Sequence, residues 1–219
     1  MGLNLVIGDK KWSSWSLRPW IALNQANIPF DEIMVPLRRP DTKAQILRYS
    51  ASGKIPALIN GDHVIWDSLA ILNTLPVLFP GRAWWPSESA AFCMAQSIAA
   101  EIHAGFPAIR NTLPMDIGLT LPTPDLSAET LAELDRIESI WRTARTRFGA
   151  DGPFLFGKFS NADAMFAPVA TRLRTYGISL GGLCDDYVDA ILMLPGMIAW
   201  YAAAAEERAR DTPRILREP

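Results

Sequence analysis

The chain is poor in the residues that build metal centres and covalent staples. Among its 219 residues there are two cysteines, Cys93 and Cys184, and two histidines, His63 and His103. Cysteines this far apart, with no CxxC spacing, exclude a disulfide framework and a cysteine-based zinc site, and they fit a reducing compartment. Two histidines do not make a His-rich metal site, so no metal is expected. No apolar run approaches the ~18 residues of a membrane span. Asp9, Lys10 and Lys11 interrupt the first apolar stretch, so no signal-peptide core is expected there. Basic runs are also missing: 21 Lys and Arg face 23 Asp and Glu, for a net charge of −2. Nucleic acid is therefore not an expected partner. Internal repeats and low-complexity segments are absent too. The expectation is a soluble cytoplasmic protein whose two cysteines are core residues, since a free thiol packs as a small hydrophobe.

Apolar residues make up 49% of the chain, enough for a sizeable core in one large domain or two small ones. The first 80 residues alternate strand and helix signals. Leu3 to Ile7 reads as a buried strand, and Leu17, Trp20, Ile21 and Ile28 lie near helical spacing for a helix over about 15–26. A strand over 30–37 follows, then a short helix to Tyr49 capped by Asp41 or Thr42. Asn60-Gly61 between the apolar runs 56–59 and 63–66 predicts a hairpin. A helix over 68–79 closes the unit, and Pro76 is expected to kink or end it. The order is βαβ, then ββα. Residues 80–86, Pro-Gly-Arg-Ala-Trp-Trp-Pro, read as a linker between segments 1–80 and 87–219. Beyond it strand signals stop. Helices are expected over 87–110, 127–148, from a capping-box spacing at Ser160–Asp163 to about Tyr176, over 184–192 and over 196–208.

Three separated segments carry chemistry. Trp12-Ser13-Ser14-Trp15-Ser16 places hydroxyls at the head of the first helix, where a hydrogen bond and the helix dipole favour an anion such as a thiolate. Because proline is tolerated in the first turn, Pro19 points to Ser14 or Ser16 as the cap, with Ser13 in the preceding loop. The second segment is Gly53-Lys54-Ile55-Pro56-Ala57-Leu58, and the third is Trp66-Asp67-Ser68-Leu69-Ala70-Ile71. Asp67 and Ser68 sit at a helix N-terminus, suited to a carboxylate, while the Asp67 side chain suits an ammonium. Each of these residues also has a purely structural use as cap, turn or strand start.

These segments, in this order, resemble the cytosolic glutathione transferases over nearly the whole chain. Ser13 to Arg18 is similar to the serine-rich segment of the zeta class, Lys54 to Leu58 to the family's segment with a cis-proline, and Asp67 to Ile71 to its acidic-Ser-x-Ala-Ile segment. Phe79 to Pro86 is similar to its linker and Ser160 to Asp163 to its capping box. The resemblance implies an α+β, thioredoxin-like first domain and an all-α second domain. It implies glutathione as co-substrate, held by Lys54, Ile55, Pro56, Asp67 and Ser68, with the backbone of Ile55 pairing with the cysteine of glutathione. Ser13 is the first choice as thiolate donor, with Ser14 and Ser16 in reserve. A pocket for a small electrophile is expected between Trp12 and Trp15 on one side and His103, Phe106 and Arg110 on the other, the last three sharing a face of helix 87–110. A homodimer is implied, with helix 68–79 near the interface. Two other readings stay open: a glutathione-dependent cis–trans isomerase of a maleyl-type diacid, for which Arg18 and Arg110 are the cations at hand, and a noncatalytic binding module. Trp15 stands where the zeta class commonly has cysteine, and Asp67 is one methylene shorter than the family's usual glutamate.

Overall fold

The computed structural model describes residues 2–211, so the last eight residues of the 87–219 segment lie outside the described residues. Leu5, Val6 and Ile7 are fully buried, and the strand that carries them, β1 (Leu3–Gly8), lies inside the sheet with neighbours on both sides. A continuous apolar run is what a strand covered on both faces requires. β1 pairs in parallel with β2 (Asp31–Val35) across the helix α1 (Ser14–Gln25), and antiparallel with β3 (Ala57–Asn60). β4 (His63–Trp66) pairs antiparallel with β3 and forms the other edge, giving the order β2-β1-β3-β4. The short helix α2 (Thr42–Leu47) follows β2, and α3 (Ser68–Leu78) follows β4, so the βαβ–ββα order expected from the sequence is the one found. The hairpin turn itself is Gly61-Asp62, because Asn60 pairs with His63. Gly61, at φ 59°, supplies the left-handed position that a two-residue turn needs.

After Trp84 the described chain is helical: α4 (Ser89–Ala104), α5 (Pro107–Thr112), α6 (Ala128–Phe148), α7 (Asn161–Tyr176), α8 (Gly182–Leu192) and α9 (Pro195–Asp211). α7 is buried almost all round and packs against α1, α4 and α8, which makes it the axis between sheet and helices. Trp141 of α6 meets Phe166 of α7 and Tyr187 of α8 edge-on at 5.8 and 4.7 Å. The capping-box spacing is used: Asp163 Oδ2 accepts from the Ser160 amide at 2.8 Å and Oδ1 from the Leu155 amide at 3.1 Å. Asp163 is fully buried, and desolvation raises its pKa to about 6 against the pull of those donors. Trp84 pins the connection between α3 and α4, donating to Phe79 O at 2.9 Å while its own carbonyl accepts from Asn161 N. Among the described residues no single helix is long and apolar enough to cross a membrane.

Three expectations are corrected. The helix expected over 87–110 is two helices. Gly105 and Phe106 break it, with Phe106 in the left-handed region at φ 63°. Side chains hold both broken ends. Arg110 donates to Gly105 O at 3.2 Å and to Ile102 O, and Glu133 accepts from Ala108 N and Ile109 N at 3.2 and 2.8 Å. Cys93 is exposed on α4, and only Cys184 is in the core. Ser13, rather than Ser14 or Ser16, is the N-cap of α1, which places Pro19 in the second turn.

Candidate functional site

The loop from β1 to α1 ends on the capping serine. Ser13 Oγ accepts from Ser16 N at 3.4 Å and donates to Ser16 Oγ at 2.7 Å, and Ser16 Oγ accepts from Gly8 N at 3.1 Å. Two of the three serines thus tie helix to strand. Ser14, the first residue of α1, is left with a hydroxyl that makes no hydrogen bond among the described residues, and it lines a cavity of about 620 Å³.

The same cavity is lined by Trp12, Ser13, Trp15, Leu37, Lys54, Ile55, Pro56, Asp67, Ser68 and His103. All three sequence segments therefore meet at one place. The Ile55–Pro56 peptide is cis, and Ile55 lies just outside the registered pairs of β3. Asp67 caps α3 with a positive φ of 76°; its Oδ1 accepts from Leu69 N at 2.9 Å and Ala70 N at 3.1 Å. Its second oxygen stands 3.2 Å from His103 Nε2. Burial lowers the His103 pKa; Asp67 opposes this, while Arg18 and Arg110 add to it.

Phe106 and Arg110 are not among the cavity-lining residues. The break at Gly105 turns Phe106 into the core, at 6% exposure, and Arg110 back onto the carbonyls of α4. Arg110 still bears on the site through Trp15, whose indole has the Arg18 guanidinium at 4.3 Å and that of Arg110 at 4.7 Å, with His103 edge-on at 5.5 Å. Trp12 likewise has Lys11 and Arg38 each 4.2 Å from its ring centroid. Arg18 is 1% exposed, and its Nη1 donates to Ser68 Oγ at 3.3 Å. Burial first, then repulsion from Arg110 and Arg172, push its pKa well below the ordinary arginine value, against the attraction of Asp67.

One support of the site had no local signal in the sequence. Glu207 of α9 accepts from Lys10 N at 3.0 Å and Lys11 N at 3.2 Å, and Trp200 Nε1 donates to Lys10 O at 2.8 Å. The last described helix thus clamps the serine loop from outside. Leu37 also escaped notice, because nothing in an isolated leucine distinguishes a cavity wall from core. No group of three or more His, Cys, Asp or Glu among the described residues could hold a metal ion.

Residues 12–78 match the family model described as glutathione S-transferase, N-terminal domain, and residues 124–203 the one described as glutathione S-transferase, C-terminal domain. The chain belongs to the glutathione S-transferase family. Protein IN2-1 homolog A of Oryza sativa is 31% identical over 57% of this chain and 46% of that protein. The chloroplastic glutathione S-transferase L2 of Arabidopsis thaliana is 28% identical over 72% of this chain and 49% of that protein. These matches span about half the length of those two curated relatives. Among solved structures, a glutathione transferase homolog from Burkholderia GL BGR1 with bound glutathione superposes with TM-score 0.70 at 18% identity, covering 96% of this chain and 99% of that one. A maleyl pyruvate isomerase described as a bacterial zeta-class glutathione S-transferase superposes with TM-score 0.66 at 20% identity, covering 91% and 97%. At such identities the likeness is one of fold.

Proposed function

We propose that the protein is a glutathione transferase in which a serine hydroxyl stabilises the glutathione thiolate for attack on a small electrophile, and that Ser14 is the donor. One observation carries this reading: the unbonded Ser14 hydroxyl, Ile55 before its cis-proline and the Asp67-Ser68 helix start line a single cavity. Ser13, the first choice from sequence, uses its proton on Ser16. A thiol near pKa 8.5 needs a shift of about two units to ionise at neutral pH, roughly 2.7 kcal/mol. A hydrogen bond to a charged acceptor, about 1.5–3 kcal/mol, and a helix dipole, about 0.3–1 kcal/mol, together reach that value. No general base is required.

A cis–trans isomerase is the second reading. It is favoured by the two guanidinium groups that flank Trp15, one buried and one half-buried, since cations beside the cavity suit a dianionic substrate. A homodimer is part of the proposal, because Val77 of α3 (78% exposed), Phe92 of α4 and Trp66 of β4 leave large apolar side chains open. Calorimetric titration with glutathione tests the core of the reading: the absence of binding at millimolar concentration overturns it. Turnover of a chloronitrobenzene against a maleyl diacid then separates transferase from isomerase.

A further inference from the structure

We propose that Glu207 is a positioning residue for the thiolate donor: through the main chain of Lys10 and Lys11, α9 of the helical domain aims the Ser14 hydroxyl into the cavity. The proposal rests on the glutathione reading above and extends it to a residue that does not line the cavity.

The main chain of Lys10 and Lys11 is held by the helical domain. Glu207 Oε1 accepts from Lys10 N at 3.0 Å and Oε2 from Lys11 N at 3.2 Å. Trp200 Nε1 donates to Lys10 O at 2.8 Å, and Ile117 N donates to Lys11 O at 3.0 Å. Both N–H groups and both carbonyls of this dipeptide thus find their partners in the other half of the molecule. Two of the holders are tied to each other, since Arg208, next to Glu207, donates to Ile117 O at 3.0 Å. The Lys11 side chain, 2% exposed, pairs with Asp211, one turn beyond Glu207 on α9.

From Lys11 the chain reaches the site with little slack. Asp9 O accepts from Trp12 N at 3.1 Å and from Ser13 N at 2.8 Å, and Trp12 O accepts from Ser14 N at 3.0 Å. A displacement of Lys10 and Lys11 therefore passes to Trp12 and Ser14, which both line the cavity. A misplacement of about 1 Å at a group that acts on the reacting atom is enough to cost about 100-fold in rate. A carboxylate suits the holding role, because its two oxygens take two adjacent amides at once in charge-assisted bonds. Field and position act in opposite directions here. The negative charge of Glu207 opposes a thiolate through space, so its removal alone lowers the pKa of a bound thiol, whereas a lost hydrogen bond from Ser14 raises it.

The test reads the thiol pKa of bound glutathione from the ultraviolet absorbance of its thiolate. It reads affinity from calorimetry with S-methylglutathione, which has no thiol to ionise. Glu207→Ala should raise the bound thiol pKa by about one unit, a change of about tenfold in the acid constant. Glu207→Gln keeps one acceptor without the charge and should raise it by about half as much. Both variants should hold S-methylglutathione within about 2-fold of the unaltered protein. In a Ser14→Ala background Glu207→Ala should move the thiol pKa by less than about 0.3 unit, because the hydroxyl through which it acts is gone. Trp200→Phe removes the N–H that holds Lys10 O and should shift the thiol in the same direction. If Glu207→Ala does not fold, Glu207→Gln and Trp200→Phe decide on the same readouts. A fall or no change in the thiol pKa, a loss of S-methylglutathione affinity beyond about 5-fold, or the full rise without the Ser14 hydroxyl overturns the proposal. If the unaltered protein binds neither ligand, the glutathione reading itself fails and takes this proposal with it, a result distinct from all of these.

Discussion

Asn161, the first residue of α7, donates from Nδ2 to the carbonyl of Leu72 in α3 at 2.8 Å. The carbonyl is free to accept because Pro76, four residues further on, has no N–H to offer it. The proline inside α3 thus turns a missing helical bond into a contact between the sheet portion and the central helix. α3 continues for two residues beyond Pro76, to Leu78.

This pairing gives a compensating pair of substitutions. Asn161→Ala leaves the Leu72 carbonyl buried and unpaired and should cost about 1–3 kcal/mol. Pro76→Ala restores an intrahelical N–H to the same carbonyl, so the double variant should recover at least half of that loss. Urea unfolding midpoints of the four proteins measure it; a double variant no more stable than Asn161→Ala would refute the relationship.

The serines should separate by what they do. Ser14→Ala should cut turnover about 100-fold, at ~1.4 kcal/mol per decade, with little change in glutathione affinity or melting temperature. Ser13→Ala should cost about 1 kcal/mol of stability through the lost cap. Steady-state rates and thermal melts on both variants decide, and the reverse pattern would move the donor role to Ser13.

Asp67 has two oxygens with two uses, and Asp67→Asn separates them. One amide oxygen can still cap α3, so stability should change by less than about 0.5 kcal/mol, whereas Asp67→Ala should lose about 1 kcal/mol. Both should weaken glutathione by about 1.5–3 kcal/mol if the carboxylate charge holds the γ-glutamyl ammonium. Calorimetry showing unchanged affinity in both variants would leave Asp67 a cap alone.

Asp163 has an opposite pH signature from that of a salt-bridged acid. Its folded pKa, about 6, lies above the ordinary value of 3.8. Its contribution to stability is therefore complete below pH 3.8 and is lost as pH rises through 6. The stability advantage of the unaltered protein over Asp163→Asn should be largest near pH 4 and shrink towards pH 7. Denaturant titrations across that range check it; an advantage that grows with pH would show that the hydrogen bonds from Leu155 and Ser160 outweigh desolvation.

The element order βαβ–ββα was legible because Leu5 to Ile7 and the turn chemistry around Gly61 are local signals, and the α7 start was legible from the Ser160–Asp163 spacing. The three cavity segments were likewise readable as motifs. What escaped depended on side chains reaching back. The α4–α5 break is held by Arg110 and Glu133 from outside the broken segment, so helical spacing alone ran the two helices together and placed Phe106 in the pocket. The cap of α1 was misplaced because Pro19 was assigned to the first turn, whereas the helix gives up one internal bond and begins at Ser14. Cys93 shows that a small apolar preference does not fix a side of a helix.

The clamp of Glu207 on Lys10 and Lys11 joins residues 197 and 196 positions apart. On a ribosome adding ~5–20 residues per second, that separation is roughly 10–40 s of synthesis. During this interval β1 and its neighbours have already emerged, but the loop before Ser13 has neither its acceptor in Glu207 nor the indole of Trp200 beside it. The shape of the serine loop is settled late in vectorial synthesis, by the helix made long after the strand it completes.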